Sequence, residues 1–238
     1  MSAVSLADLR DVAENGARAA EQRKHAENLR GYGESDTSFS SYGDAETAED
    51  VVALIEELGG PAVVIGNSMA AGAAALAAAQ RPELVRGLVL IGPFVRSGKI
   101  SMIQRLMLRA AMARPWAAAP WTLYLPKLYA GQRPTDFDEY RDKVVASLRR
   151  PGYAKAFSLR TRTNHARAEA RLGDVTAPTS VVMGDKDPDF PDPRAEADWI
   201  AQTLRAGVVI GYAAGWLPRS RLPTPRVLSS LRALYSGT

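Results

Sequence analysis

The chain has 238 residues, 46% of them hydrophobic and 24% charged, which is enough apolar content to bury one sizeable core and too much for a disordered chain. It contains no cysteine, which excludes disulfides, thiolate metal sites and a cysteine nucleophile. The net charge of +4 hides an asymmetry, since 13 of the 26 acidic residues fall in the first 60 positions. With no helix-turn-helix signature and no aromatic interleaving, the basic remainder does not point to nucleic acid.

Met1 to Ala20 carries acidic residues and no continuous apolar core, so no secretory signal is read there. No uncharged run approaches the roughly 18 residues of a membrane span, and the expected location is the cytoplasm. Leu6 to Leu29 reads as a polar helix or a frayed segment without a strong buried face. Gly31 to Asp44 is dense in turn formers, and the apolar positions Val51, Val52, Leu54, Ile55 and Leu58 then predict a helix over Ala45 to Leu58, ended by Gly59-Gly60.

Pro61 to Ile65 is a short β-branched run followed by an Ala-rich helix from about Met69 to Gln80, and Arg86 to Ile91 is a second such run. Two buried strands joined by a helix make a right-handed βαβ unit with a parallel sheet. From Phe94 to Arg171 helical segments are punctuated by prolines, with Trp116, Trp121, Tyr124 and Tyr129 among them; this predicts an inserted helical subdomain. Strand pattern resumes at Pro178 to Met183, followed by a helix from about Pro193 to Leu204, a weaker strand at Gly207 to Ile210 and a last helix over Pro225 to Tyr235. The division expected is a core of 1–93 and 172–238, with 1–28 atypical, and a helical cap at 94–171.

Gly66-Asn67-Ser68-Met69-Ala70 stands between strand and helix, where a nucleophile elbow requires a serine with small neighbours. Ser68 also fits a plain helix N-cap, and Ala70 replaces the usual glycine of the fourth slot.

Three stretches extend the match. Leu29-Arg30-Gly31-Tyr32-Gly33-Glu34-Ser35-Asp36, then Gly66 to Ala70 with Arg81-Pro82-Glu83-Leu84-Val85-Arg86-Gly87-Leu88-Val89-Leu90, and Ala177-Pro178-Thr179-Ser180-Val181-Val182-Met183-Gly184-Asp185-Lys186-Asp187 together resemble the α/β-hydrolase superfamily, especially its cap-bearing esterase-like members. The resemblance covers about Leu29 to Pro193. It implies an α/β-hydrolase fold, a parallel sheet flanked by helices with an inserted cap. It further implies that Ser68 is the nucleophile, that the Met69 amide is an oxyanion donor and that Asp187 orients a histidine, with Asp185, Asp189 and Asp192 as competing acids. A serine rather than an aspartate nucleophile points to acyl transfer on carboxylic esters. The expected partner is a small ester-like or apolar molecule, with no cofactor and no metal.

The pattern fails at both ends. Where the family presents Gly-His, the chain reads Gly215-Trp216, and an indole cannot accept a proton near neutral pH. His25 and His165 are the two histidines of the chain. His165, at the far end of the cap, reads either as a substitute base or as an ordinary polar residue on a charged helix. Nothing in Met1 to Asn28 reads as the family's first strands or its second oxyanion loop, so a sheet of four parallel strands is expected, with Pro61 to Ile65 at an edge. Trp199 to Thr238 has five arginines and no acid, which makes both ends look foreign to the preserved middle. Activity is therefore expected to be weak or absent, and a non-catalytic protein binding an apolar ligand under the cap is the alternative.

Overall fold

The computed structural model describes residues 28–98, 102–111, 113, 118–129, 133–205 and 208–212. The expectations for the first 27 residues, for Trp216 and for a final helix lie outside these. The expected missing amino-terminal strands likewise fall on residues outside them.

The described elements run α1 (Asp44–Glu57), β1 (Ala62–Asn67), α2 (Met69–Gln80), β2 (Val85–Ile91), α3 (Met102–Ala111), α4 (Ala118–Tyr124), α5 (Phe137–Arg149), α6 (Tyr153–Arg160), α7 (Ala166–Arg171), β3 (Thr179–Gly184), α8 (Pro193–Thr203) and β4 (Val208–Tyr212). The strands form one four-stranded sheet in the order β1-β2-β3-β4, and every pairing is parallel. Parallel neighbours need crossovers that lay helices on the faces of the sheet, and β2 and β3 are accordingly buried nearly throughout.

Among the described residues β1 pairs with β2 alone and forms the edge of the sheet, and Ile65 is 41% exposed there. This is the edge position expected from the sequence. Both β1 and β3 run to the residue just before a loop: β1 extends two residues past the expected end, through Gly66 and Asn67, so that Ser68 follows the strand directly.

Helix α2 is apolar all round and buried all round, from Ala71 to Ala79. Alanine has the highest helix propensity and the smallest side chain that still packs, so α2 can approach α1, β1 and β2 closely. The main core joins Ala74, Ala75 and Ala78 of α2 to Leu88 and Leu90 of β2, Val181 and Met183 of β3 and Ile200 of α8. Each fully buried leucine or isoleucine there contributes roughly 1.5–3 kcal/mol. A separate cluster of Trp121, Leu125, Leu128, Tyr129, Phe137 and Phe157 holds the helices between β2 and β3 together.

The loop before α1 is fastened from both sides. Arg30 grips Asp50 with two nitrogens at 2.7 and 2.6 Å, and it donates to the carbonyl of Glu46 at 2.9 Å. Gly31 adopts φ 75°, and a Cβ there would lie 2.7 Å from Ala156 Cβ and from the Tyr42 ring. That combination of left-handed backbone and close approach admits only glycine. From α6, the fully buried Arg160 donates to the Gly31 carbonyl at 3.0 Å, and its guanidinium lies 3.0 Å from the centroid of the Tyr32 ring.

Candidate active site

Ser68 holds the turn between β1 and α2 with φ 56° and ψ −121°, a conformation that side chains rarely adopt. The strain is over-determined by its neighbours. The Ser68 amide donates to the Ile91 carbonyl at 2.8 Å, and the Ser68 carbonyl accepts from Phe94 and from Ala71 at 3.1 Å each. Two residues earlier, a Cβ on Gly66 would lie 2.7 Å from the Ala70 oxygen and from Ala71 Cα, so the strand can turn sharply into the helix only with glycine there. The fourth slot is less demanding, and Ala70 fits it in a partly buried position. Met69 opens α2, so its amide belongs to the first turn, whose N–H groups have no carbonyl four residues back.

Asp187 lies beyond the end of β3 at the same carboxyl edge of the sheet. The register aligns Asn67 with Ile91 and Ile91 with Val182, so β1 and β2 end together and β3 ends two residues beyond them at the same edge. The end of β2 and its turn lie beside both residues: the Ser68 amide donates to the Ile91 carbonyl, while Asp187 Oδ2 lies 3.5 Å from where a Cβ on Gly92 would sit. The carboxylate is 4% exposed and accepts from the Asp189 amide at 3.0 Å through Oδ1. Burial pushes its pKa up to about 6, the Asp189 amide acts the other way, and the Asp189 carboxylate adds to the rise.

The three competing acids have other settings. Asp192 caps α8 by accepting from the Ala195 amide at 2.9 Å, Asp189 accepts the hydroxyl of Tyr124, and Asp185 is exposed. The Tyr124 bond joins α4 to the Asp187 loop. Burial and then that bond hold the phenol protonated well above its usual range.

His165 is neither exposed nor oriented by Asp187. Its Nδ1 lies 2.7 Å from Asp44 Oδ2, and the two side chains are 13% and 1% exposed. The imidazole stacks on Phe94 at 6.1 Å between centroids, and Phe94 also meets Phe190 of the Asp187 loop at 5.2 Å. A Cβ on Gly72 would lie 3.0 Å from Asp44 Oδ2 and 2.6 Å from the Phe94 oxygen. Gly72 is four residues along α2 from Ser68, about 6 Å of helix. Asp44 was not singled out by sequence, because an acid in the first turn of a helix is the ordinary complement of the helix dipole. A cleft of about 360 Å³ opens beside this pair, lined by Ser41, Tyr42, Asp44, Arg162, Thr163 and Asn164; neither Ser68 nor Asp187 lines it.

Among the described residues no group of three or more His, Cys, Asp or Glu is placed to hold a metal ion, and no helix is long and apolar enough to cross a membrane. Trp216 and His25 lie outside the described residues.

A sequence model described as the alpha/beta hydrolase family matches residues 11–221. The chain belongs to the alpha/beta hydrolase family. Solved structures similar to it include a thermophilic esterase from Thermogutta terrifontis, at 24% identity, 88% of this chain and 78% of that one, with a TM-score of 0.69. An N-acyl homoserine lactone degrading enzyme shares 23% identity over 87% of this chain and 80% of that one, with a TM-score of 0.67. A loop variant of a haloalkane dehalogenase from Bradyrhizobium elkanii shares 21% over 88% and 80%, with a TM-score of 0.64. At such identities the likeness establishes the alpha/beta hydrolase fold. No curated protein matches the sequence.

Proposed function

We propose that this alpha/beta hydrolase is a serine hydrolase directed at carboxylic esters of small molecules, with turnover at or near background because Trp216 stands where the family places its histidine. The observation that carries the reading is the backbone of Ser68, a strained non-glycine residue at the junction of strand and helix, which is the geometry that projects a nucleophilic hydroxyl. In this reading the hydroxyl attacks the ester carbonyl, and the amide of Met69 stabilises the oxyanion. A base must take the hydroxyl proton and return it to the leaving alcohol, after which water releases the acyl group. Asp187 is the acid that would orient that base. The helices from 94 to 171 form a cap over the site, held to the Asp187 loop by Tyr124. Esterase and lactone-degrading activities among the similar structures support an ester substrate.

A second reading, a catalytically silent protein that binds a small apolar ligand under the cap, is favoured by one observation. Among the described residues no imidazole or cation faces the buried carboxylate of Asp187. A fluorophosphonate probe separates the two. Labelling that is lost in Ser68→Ala supports the hydrolase reading, and the absence of labelling in folded protein supports the second.

A further inference from the structure

Helix α3 presents an apolar face to solvent rather than to the core. Met102, Ile103, Leu106 and Met107 are 87%, 72%, 67% and 67% exposed. At 3.6 residues per turn these four positions share one side of the helix, and the exposed Arg109 borders it. A monomer's surface scatters single apolar residues, whereas four large ones on two successive turns mark an interaction surface.

The charge of the segment that carries that face points to what covers it. Phe94 to Pro134 contains seven Lys and Arg and no Asp or Glu. One of them, Arg96, is neutralised by Glu196 of α8, whereas Arg109 is exposed beside the apolar face; further along the segment Leu123, 77% exposed, and Lys127 are exposed as well. A second copy of the same face would bring like charges together, and an apolar core partner would leave the cations without counterions. An anionic bilayer surface satisfies both features, because interfacial helices bury an apolar face at the acyl boundary while their cations meet lipid phosphates. We propose that α3 docks the protein flat on an anionic membrane surface, with Met102, Ile103, Leu106 and Met107 entering the interface.

The inference does not depend on turnover, so its test reads binding alone. The full chain is sedimented with vesicles of phosphatidylglycerol and phosphatidylcholine, with vesicles of phosphatidylcholine alone, and in light scattering without lipid. The expected result is co-sedimentation with the anionic vesicles, weakened on the order of tenfold by raising salt from about 0.1 to 0.5 M. Ile103→Glu with Leu106→Glu should abolish it at an unchanged melting temperature, since both side chains are already in solvent. Arg109→Glu with Lys127→Glu, which leaves the apolar face intact, should weaken it similarly. The proposal is overturned if the protein stays in solution with anionic vesicles, binds both vesicle types equally, or keeps its binding in the first double variant. It is equally overturned if the chain is a dimer at micromolar concentration that the first double variant dissociates.

Discussion

His165 and Asp44, 121 residues apart in sequence, form a buried imidazole–carboxylate pair at 2.7 Å that ties the start of α7 to the first turn of α1 and, through Gly72, to helix α2 behind Ser68. A carboxylate at Nδ1 leaves Nε2 as the proton acceptor, the tautomer a general base needs. The pair nevertheless lies a helical turn along α2 from Ser68, and its burial makes it a structural tie. Replacing His165 by Ala strands a carboxylate in the interior, and breaking a buried pair costs about 3 kcal/mol or more. We expect a clear drop in melting temperature with no change in residual ester hydrolysis. Loss of hydrolysis at an unchanged melting temperature would instead make His165 the base.

Asp187 should make stability fall as pH rises. Its folded pKa of about 6 lies above the 3.8 of the free side chain, so between those values the folded protein holds more protons than the unfolded chain. The contribution is fully present below about pH 4 and is lost as pH rises through 6. Asp187→Asn removes the penalty and should stabilise the protein at pH 7.5 by on the order of 2–3 kcal/mol, with no gain at pH 4. Denaturant unfolding of both proteins at the two pH values checks this. A constant difference between them would place the effect in packing rather than ionisation.

The buried Arg160 makes one hydrogen bond and a ring contact, while its Nε and Nη1 have no partner. Burial lowers its pKa, and no carboxylate among the described residues offsets the cost. A methionine of similar length keeps the packing on Tyr32 without the desolvated charge, and such replacements are often neutral or stabilising by about 1–4 kcal/mol. Thermal unfolding of Arg160→Met should therefore show a melting temperature equal to or above that of the parent. A fall of many degrees would show that the bond to Gly31 organises the loop.

Restoring the family's histidine should recover little. On the proposed reading the site needs at once an imidazole to activate Ser68, a carboxylate to orient it and two oxyanion donors; Trp216→His restores only the residue type that the family places there. On that reading the Met69 amide is one donor, and the sequence before residue 29 does not resemble the family's loop that provides the other. A missing donor typically costs about 10²–10³ in rate. Steady-state hydrolysis of an activated ester by Trp216→His should stay below ordinary esterase rates by that factor. Full recovery would mean that a second donor is already in place.

The βαβ unit and the strand-turn-helix around Ser68 were legible in the sequence because their signals are local. Val63, Val64 and Ile65 form a β-branched run, Gly66 precedes the serine because nothing larger clears Ala70, and the alanines that follow have no polar face and so must be buried. The replacement of the expected histidine by Trp216 is likewise a statement about sequence alone. Strand β1 at the sheet edge agreed with the sequence as well, since the first 28 residues carry no strand pattern to cover it. The resemblance pointed to Asp187, but the residues themselves left its burial unread, because Asp185, Asp187, Asp189 and Asp192 share one acidic turn and differ only in what surrounds them once β3 and α8 are placed. The pairs Asp44–His165 and Tyr124–Asp189 were equally hidden, being 121 and 65 residues apart and made only when the helices between β2 and β3 pack against α1 and the Asp187 loop. Periodicity reports that a helix has an apolar face. Whether that face meets the core, as in α2, or solvent, as in α3, is set by the neighbours that the rest of the chain brings to it.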